Sequence, residues 1–456
     1  MLKKIGEITQ KCAVHLIPDA FIFAIILSVV CYLMGIWLTP SGPLDMIYHW
    51  YDGFWNFLGF SMQMVFILLT GYVLAQSPLA RRCMTRMAKA PKTAGQGMLL
   101  IAFTTLIAGF INWGLGLVVG AVMAITVARD LKARGIKLHF PLAAAAGYLG
   151  LSIHSSGFSS TAPLISNTND HFLFDMIGVI PFAETVLQPY NLIASAIYII
   201  VIPFVMKAMH PADKDVQEIH LKDEIEETKE TGFDEGEVLG YVDGKVPLAQ
   251  RLENSVLLML LVVIPGAIYV GYFFATRGFD LNINIINFIF LIVGMFLYKT
   301  PGAYVKAMGK AAGSASGIIL QFPFYAGILG MMSLSGLIEV LANGMIAMST
   351  QFTFPFLAFI SAAIVNLFVP SAGGQWAVQG PILLEAGKAL EVPIGVTIMA
   401  HQYGDQVTNM IQPFWALPLL GLTGLKAKDV LGYTVIVMFV GMIIWGGAMA
   451  MTMYLL

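Results

Sequence analysis

His154-Ser-Ser-Gly157-Phe-Ser-Ser-Thr161 packs hydroxyl side chains, an imidazole and a glycine into a stretch whose surroundings belong in lipid. A second stretch, His401-Gln-Tyr-Gly404-Asp405-Gln-Val-Thr408, has the same H-x-x-G-x-x-x-T spacing, and prolines follow both, at Pro163 and Pro413. Polar interruptions that recur in two halves of an apolar chain point to broken transmembrane helices with a binding site between them. Both blocks are therefore expected to be unwound at membrane depth.

Composition agrees with a bilayer as the main solvent. Of 456 residues, 58% are hydrophobic and 11% charged, whereas soluble chains carry about 25% charged residues. Cys12, Cys31 and Cys83 are scattered, with no spacing for a disulfide framework or a zinc site. Met1 to Asp19 carries Lys3, Lys4 and Lys11 but no small-residue cleavage site, so an uncleaved first span is expected. No nucleic-acid partner is expected.

Crossing about 30 Å of hydrocarbon takes roughly 20 apolar residues. Spans are predicted at 19–38, 57–77, 139–163, 190–207, 255–275, 283–299, 317–340, 393–418 and 430–453. Two further apolar regions, 95–128 and 347–390, break in the middle, and their halves are short for independent spans. They fit re-entrant hairpins, because interrupted backbone is tolerated in a membrane where protein surrounds it. With the N-terminus in the cytoplasm, all but two of the 25 Lys and Arg residues fall on the cytoplasmic side, Arg277 and Lys388 being the exceptions. The segment 208–254 holds 13 acidic and 5 basic residues and reads as a solvated cytoplasmic connector.

The chain on either side of this connector repeats itself. Pro43 precedes Gln63-Met-Val-Phe66 by 20 positions, and Pro301 precedes Gln321-Phe-Pro-Phe324 by 20. Each half continues into a hairpin with an asparagine, Asn112 or Asn366, then its polar block, a proline and one more span. Given the orientation, the hairpins open to opposite sides. The predicted fold is an all-α polytopic membrane protein of two inverted-topology repeats, each with a re-entrant hairpin and a broken transmembrane helix. The division is 1–207 for the N-terminal repeat, 208–254 for the linker, 255–280 for a connecting span and 281–456 for the C-terminal repeat. The tracts 44–58 and 301–316 read as interfacial amphipathic helices.

Candidate ligand groups cluster at the breaks. The first tip carries Asn112, Trp113, Gly114 and Gly116; the second carries Asn366, Ser371, Gly373, Gly374, Gln375 and Trp376. Helix N-termini after such tips offer free N–H groups to a carboxylate, and glycine lets backbone approach a ligand. The blocks add His154, Ser155, Ser156, Ser159 and Thr161 on one side, and His401, Asp405, Thr408 and Asn409 on the other. A carboxylate near the bilayer centre costs about 2.5–3.5 kcal/mol and marks an ion or proton pathway, so Asp405 is the candidate coupling or gating group. Gly114-Leu-Gly116-Leu-Val-Val-Gly120 has the wrong spacing for a dinucleotide fingerprint, Gly302 to Lys310 misses P-loop spacing, and no H-E-x-x-H occurs.

These residues carry a resemblance. Asp52-Gly-Phe-Trp-Asn56, Met62-Gln63-Met64, Ile111-Asn-Trp-Gly114, Gln321-Phe-Pro-Phe-Tyr-Ala-Gly-Ile328, Val369-Pro-Ser371, Gln379-Gly-Pro381, Tyr403-Gly-Asp405-Gln406 and Gln412-Pro-Phe-Trp-Ala-Leu-Pro418 span nearly the whole chain. In combination they resemble the bacterial short-chain fatty acid transporter family, within the broader ion-transporter superfamily. The resemblance implies hairpin tips that meet at the substrate, a homodimer and an elevator-like transport domain. It implies a carboxylate at Asp405 and no requirement for histidine at His154 or His401.

The function expected is ion-coupled secondary transport of small monocarboxylates such as acetoacetate or butyrate across the bacterial cytoplasmic (inner) membrane. The coupling ion would be H⁺ or Na⁺, sodium being the one metal admitted, and no cofactor is expected. Transport of another small anion, a dicarboxylate or amino acid, is the alternative; the blocks contain no Lys or Arg to clamp a second carboxylate. An intramembrane hydrolase using His154, His401 and Asp405 as metal ligands is the enzymatic rival, without a general-base signature beside them.

Overall fold

The computed structural model describes residues 20–219 and 247–455. The basic N-terminal segment and most of the acidic linker lie outside the described residues. Among those described, the regular secondary structure is helical throughout.

The first half runs α1 (Ala20–Leu38), α2 (Pro43–Phe54), α3 (Leu58–Gln76), α4 (Pro78–Ala88), α5 (Ala94–Ile111), α6 (Trp113–Ala133), α7 (Phe140–Gly147), α8 (Thr161–Ser166), α9 (Phe174–Ile177) and α10 (Pro189–Ala208). After α11 (Leu248–Glu253) and the connecting α12 (Val256–Arg277), the second half runs α13 (Ile283–Tyr298), α14 (Pro301–Ala312), α15 (Ser316–Ser335), α16 (Leu337–Ala347), α17 (Phe354–Asn366), α18 (Ala372–Ala389), α19 (Ile394–Thr408), α20 (Pro413–Thr423) and α21 (Ala427–Met451). Counterparts match in order and length: α2 and α14 have 12 residues each, α3 and α15 have 19 and 20, α4 and α16 have 11 each.

The halves interlock rather than sit side by side. α1 and α2 pack on α15 of the other half, while α13 and α14 pack on α3. Small residues allow this closeness. A Cβ on Gly53 of α2 would lie 2.7 Å from the Cα of Gly330 in α15. On the opposite side, Gln63 Nε2 donates to Asn284 Oδ1 (2.8 Å) and Asn287 Nδ2 to the Gln63 carbonyl (2.8 Å). These polar groups satisfy one another where lipid offers no partner.

The arms of the first hairpin, expected to be short for independent spans, have 18 residues in α5 and 21 in α6, about 27 and 31 Å at 1.5 Å per residue. Length alone would let each cross a membrane. The tip decides otherwise. Asn112 is fully buried and its Nδ2 donates 3.2 Å to the carbonyl of Ile67, the central residue of the spanning helix α3. The tip therefore lies level with the middle of α3, and the surplus length carries α6 out to Arg129, Asp130 and Lys132. The second tip meets the middle of α15: a Cβ on Gly374 would lie 2.3 Å from the Tyr325 ring, and one on Gly373 3.1 Å from that of Phe322.

Each half also contains a broken helix, but the two breaks do not fall at equivalent places in the H-x-x-G-x-x-x-T blocks. After α7, short 3₁₀ turns at Leu149–Ser152 and His154–Ser156 lead to α8, so the first block is unwound. The second block is regular helix to Thr408, and the break follows it at Asn409–Gln412, before Pro413. Gly404 serves close packing: its Cβ would lie 2.3 Å from the Phe359 carbonyl oxygen. Two other boundaries differ. Gly336, with φ +81°, ends α15 five residues before the expected 340, and the second hairpin begins at Phe354 rather than 347 because α16 runs to Ala347 and a turn over 348–353 follows it.

The start of the linker is docked rather than solvated. Gln217 donates its N–H to His139 Nδ1 (3.0 Å) and accepts from the Phe140 N–H (2.8 Å), and Ile219 is buried. These bonds occupy the first-turn end of α7, where helix N–H groups otherwise lack partners.

Candidate functional site

The two tips and two breaks converge on one cavity of about 400 Å³, its open mouth included. Trp113 comes from the first tip; Ser371, Ala372 and Gly373 from the second; Leu151, His154 and Thr161 from the first break; Asn409 and Trp415 from the second. Met64 of α3 and Ile318 and Phe322 of α15 complete the wall. Corresponding elements of both halves thus supply it.

Local sequence sets each tip. Asn112 caps α6, its Oδ1 accepting from the Leu115 N–H (2.9 Å), with the backbone extended at φ −157°. The Trp113 N–H is taken by Ser159 Oγ (3.0 Å) and the Phe158 N–H donates to the Phe110 carbonyl (2.7 Å), so the unwound block is stitched to the tip. Ser371 caps α18 by accepting from the Gly374 N–H (3.3 Å). That leaves the N–H groups of Ala372 and Gly373, both in the cavity wall, as first-turn donors at the positive end of an 18-residue helix.

Of the residues expected from sequence, Trp113, His154, Thr161, Ser371, Gly373 and Asn409 reach the cavity. The others support it. Gly114 and Gly116 let helices approach: added Cβ atoms would lie 2.7 Å from the Leu68 carbonyl oxygen and 2.6 Å from the Gly109 Cα. Gly374 faces Tyr325. Asn366 Nδ2 lies 2.5 Å from the Asp405 carbonyl oxygen, 3.0 Å from Thr408 Oγ1 and 2.9 Å from Asn409 Oδ1, fastening the second tip to α19. Gln375 Nε2 donates to the Ala362 carbonyl (2.8 Å) and ties the hairpin arms together. Ser156 is anchored through its carbonyl by Asn191 Nδ2 (2.9 Å). His401 lies edge-on to Trp376, ring centroids 5.0 Å apart.

Asp405 is fully buried, accepts from Ser155 Oγ (3.1 Å) through Oδ2 and has no protein partner at Oδ1. Among the described residues it is the one Asp, Glu, Lys or Arg buried in the interior. No three of His, Cys, Asp and Glu converge into a metal-binding group there.

Sequence reasoning missed Met64, Leu151, Ile318, Phe322, Ala372 and Trp415. A signal existed for two of them. Met64 and Phe322 each follow the repeated glutamine, Gln63 and Gln321, and so occupy the same register of the two halves.

Re-entrant tips, broken helices and an interior cavity between them define a polytopic helical membrane protein built like a transporter. The model of the short chain fatty acid transporter family matches residues 1–454, and the chain belongs to that family. It is 38% identical over 435 residues to a protein of Escherichia coli (strain K12), covering 95% of this chain and 96% of that one. It is 37% identical over 440 residues to a protein of Haemophilus influenzae, with the same coverage. Both relatives are provisionally named short-chain fatty acid transporters. The crystal structure of the Alcanivorax borkumensis YdaH transporter, described as having an unusual topology, superposes with a TM-score of 0.54 at 14% identity, covering 96% of this chain and 99% of that one. That likeness concerns the fold alone.

Proposed function

We propose that this protein is a secondary active transporter of short-chain fatty acids or related small monocarboxylates, such as acetoacetate and butyrate, and not an enzyme. It works ion-coupled, as a homodimer in the bacterial inner membrane with its N-terminus in the cytoplasm. The observation that carries this reading is the composition of the cavity wall. The paired N–H groups of Ala372 and Gly373 at the start of α18 suit one carboxylate. Met64, Leu151, Ile318 and Phe322 suit a short alkyl tail, and no Lys or Arg lines the wall to hold a second acidic group.

The wall also divides in a way that favours an elevator-like movement. Hairpins and broken helices hold the polar groups, while α3 and α15, clamped by α1, α2, α13 and α14, present only apolar side chains. Along the cavity wall a surface of that kind can be slid past, the Asn112–Ile67 hydrogen bond being the polar contact that has to be exchanged.

Uptake of labelled butyrate and acetoacetate into proteoliposomes tests the substrate assignment. Saturable, protein-dependent uptake is expected, with competition by other short monocarboxylates and little by dicarboxylates. Absence of uptake under every imposed proton or sodium gradient refutes it.

A further inference from the structure

A chain of hydrogen bonds leads from the cavity wall into the other half of the molecule. His154, in the wall, places Nδ1 3.0 Å from the Leu151 carbonyl oxygen and Nε2 3.1 Å from Ser155 Oγ. Ser155 Oγ in turn lies 3.1 Å from Asp405 Oδ2, across a separation of 250 residues in sequence. His154 is nearly fully buried, and Ser155 and Asp405 wholly so.

Counting protons along this chain constrains its chemistry. A carbonyl oxygen only accepts, so His154 Nδ1 carries hydrogen. The single hydroxyl hydrogen of Ser155 faces two acceptors, Nε2 of a neutral imidazole and an ionised carboxylate. One of the two contacts is then lone pair against lone pair, which is costly in a buried network. One further proton resolves it in either of two ways. On Nε2, it is donated to Ser155 Oγ while the hydroxyl donates to Asp405. On Asp405, it is donated to Ser155 Oγ while the hydroxyl donates to Nε2. The two arrangements have the same composition and differ by shifting one hydrogen along each link, so no other reactant is consumed.

We propose that His154, Ser155 and Asp405 form a relay that binds one proton and carries it with each monocarboxylate. With the cavity filled, the proton rests on His154 and sets a positive charge in the wall beside the anion; once the anion leaves, the proton passes through Ser155 and Asp405, is released to the same side, and the empty relay returns without it. The relay rests on the substrate reading above and names its coupling ion. The surroundings offer no competing charge. The hairpin helices α5 and α17 contain no titratable side chain. On Asp405's own helix are His401, against Trp376, and Tyr403, whose hydroxyl donates to Asn191 Oδ1 (2.9 Å). The Tyr148 hydroxyl bonds the Asn409 and Gln412 carbonyls (2.9 and 3.1 Å), and Tyr190 and Tyr198 approach from α10. Glu385 and Lys388 of α18 lie toward its distal end, and Lys428 and Asp429 of α21 in its first turn, outside the buried interior.

One proton moving with one monoanion is electroneutral. Acetoacetate, a stronger acid than butyrate and less prone to leak as the neutral form, is the probe, and rates in protein-free vesicles are subtracted. The wild-type initial rate should rise several-fold with an inward proton gradient and stay unchanged under a potassium diffusion potential of either sign. Ser155→Ala should lose the response to the proton gradient and, moving a bare anion, respond to the potential. Ser155→Thr, which restores the hydroxyl, should behave as wild type. A wild-type rate governed by sodium and indifferent to the proton gradient overturns the relay alone, as does an undiminished gradient response in Ser155→Ala. Failure of every short acid to enter overturns the substrate reading and the relay with it. Where Ser155→Ala does not fold, the wild-type measurement still decides whether a proton moves with each acid, and Ser155→Thr carries the test of the relay.

Discussion

Replacing Gly120 with alanine tests whether the first hairpin is held by backbone-to-backbone contact. Gly109, Gly116 and Gly120 of the hairpin face Gly147 and Gly150 of the broken helix. A Cβ at Gly120 would lie 1.9 Å from the Gly147 carbonyl oxygen and 2.9 Å from Thr105 Cγ2. Carbon and carbonyl oxygen approach to about 3.3 Å at best, so α6 and α7 must part by roughly 1.4 Å, and the obstacle is backbone that no rotamer change can clear. A gap of that size forfeits a large share of the dispersion energy along the seam, and overpacking of this kind costs about 1–3 kcal/mol. Gly446, in the last helix, has nothing within 4 Å of a built Cβ. There, alanine should gain roughly 0.5–1 kcal/mol through helix propensity. Thermal unfolding in detergent, followed by size-exclusion chromatography of heated samples, should place Gly120→Ala well below wild type and Gly446→Ala at or above it. Equal melting of the two variants would refute the seam.

Three further outcomes follow from the geometry. Ile318→Ala enlarges the apolar wall, and a competition panel should shift toward longer acids by about fourfold per added methylene, from about 0.8 kcal/mol for each one buried; an unchanged preference removes Ile318 from the site. Ser371→Ala deletes the cap on α18 and should cost about 1 kcal/mol of stability while raising the KM for butyrate; a KM equal to wild type argues against the carboxylate binding there. His171, in the loop after α8, is held below its ordinary value of 6.5 by burial, with Nδ1 accepting from the Leu173 N–H and Nε2 donating to the Gly178 carbonyl. The folded loop favours the neutral ring, so its contribution is complete above about pH 6.5 and declines as pH falls toward the folded value. Hydrogen exchange across 167–180, corrected for intrinsic rates, should quicken on acidification in wild type, and this difference should vanish in His171→Ala.

The architecture was legible because lipid forces polar interruptions to mean something. Asn112 between two apolar runs is costly unless it caps a helix, and it does. Val369-Pro370-Ser371 is read the same way, because proline disfavours helix before it and serine begins the next one. Periodic similarity alone misled at His401–Thr408, where one glycine between helix formers serves packing against Phe359 and leaves the helix intact. The tip glycines are ambiguous in sequence: Gly114 and Gly116 pack against Leu68 and Gly109, and a close approach reads the same whether the neighbour is a substrate or another helix. The apolar half of the cavity was illegible for a plain reason. Met64, Ile318 and Phe322 face it from helices that are apolar on every side, and no period distinguishes a side chain facing a pocket from one facing lipid.

The interlocking of the halves has a consequence for how the chain is made. Gln63 finds its partner Asn284 only 221 residues later, and at 5–20 residues per second this takes about 11–44 s of synthesis. Throughout that interval α3 stands in the bilayer with an amide uncompensated, exposed to membrane quality control. Ribosome pausing, insertase assistance and chaperoning lipids would act in this window. Two half-length fragments divided within 220–246 should accumulate together and be degraded apart.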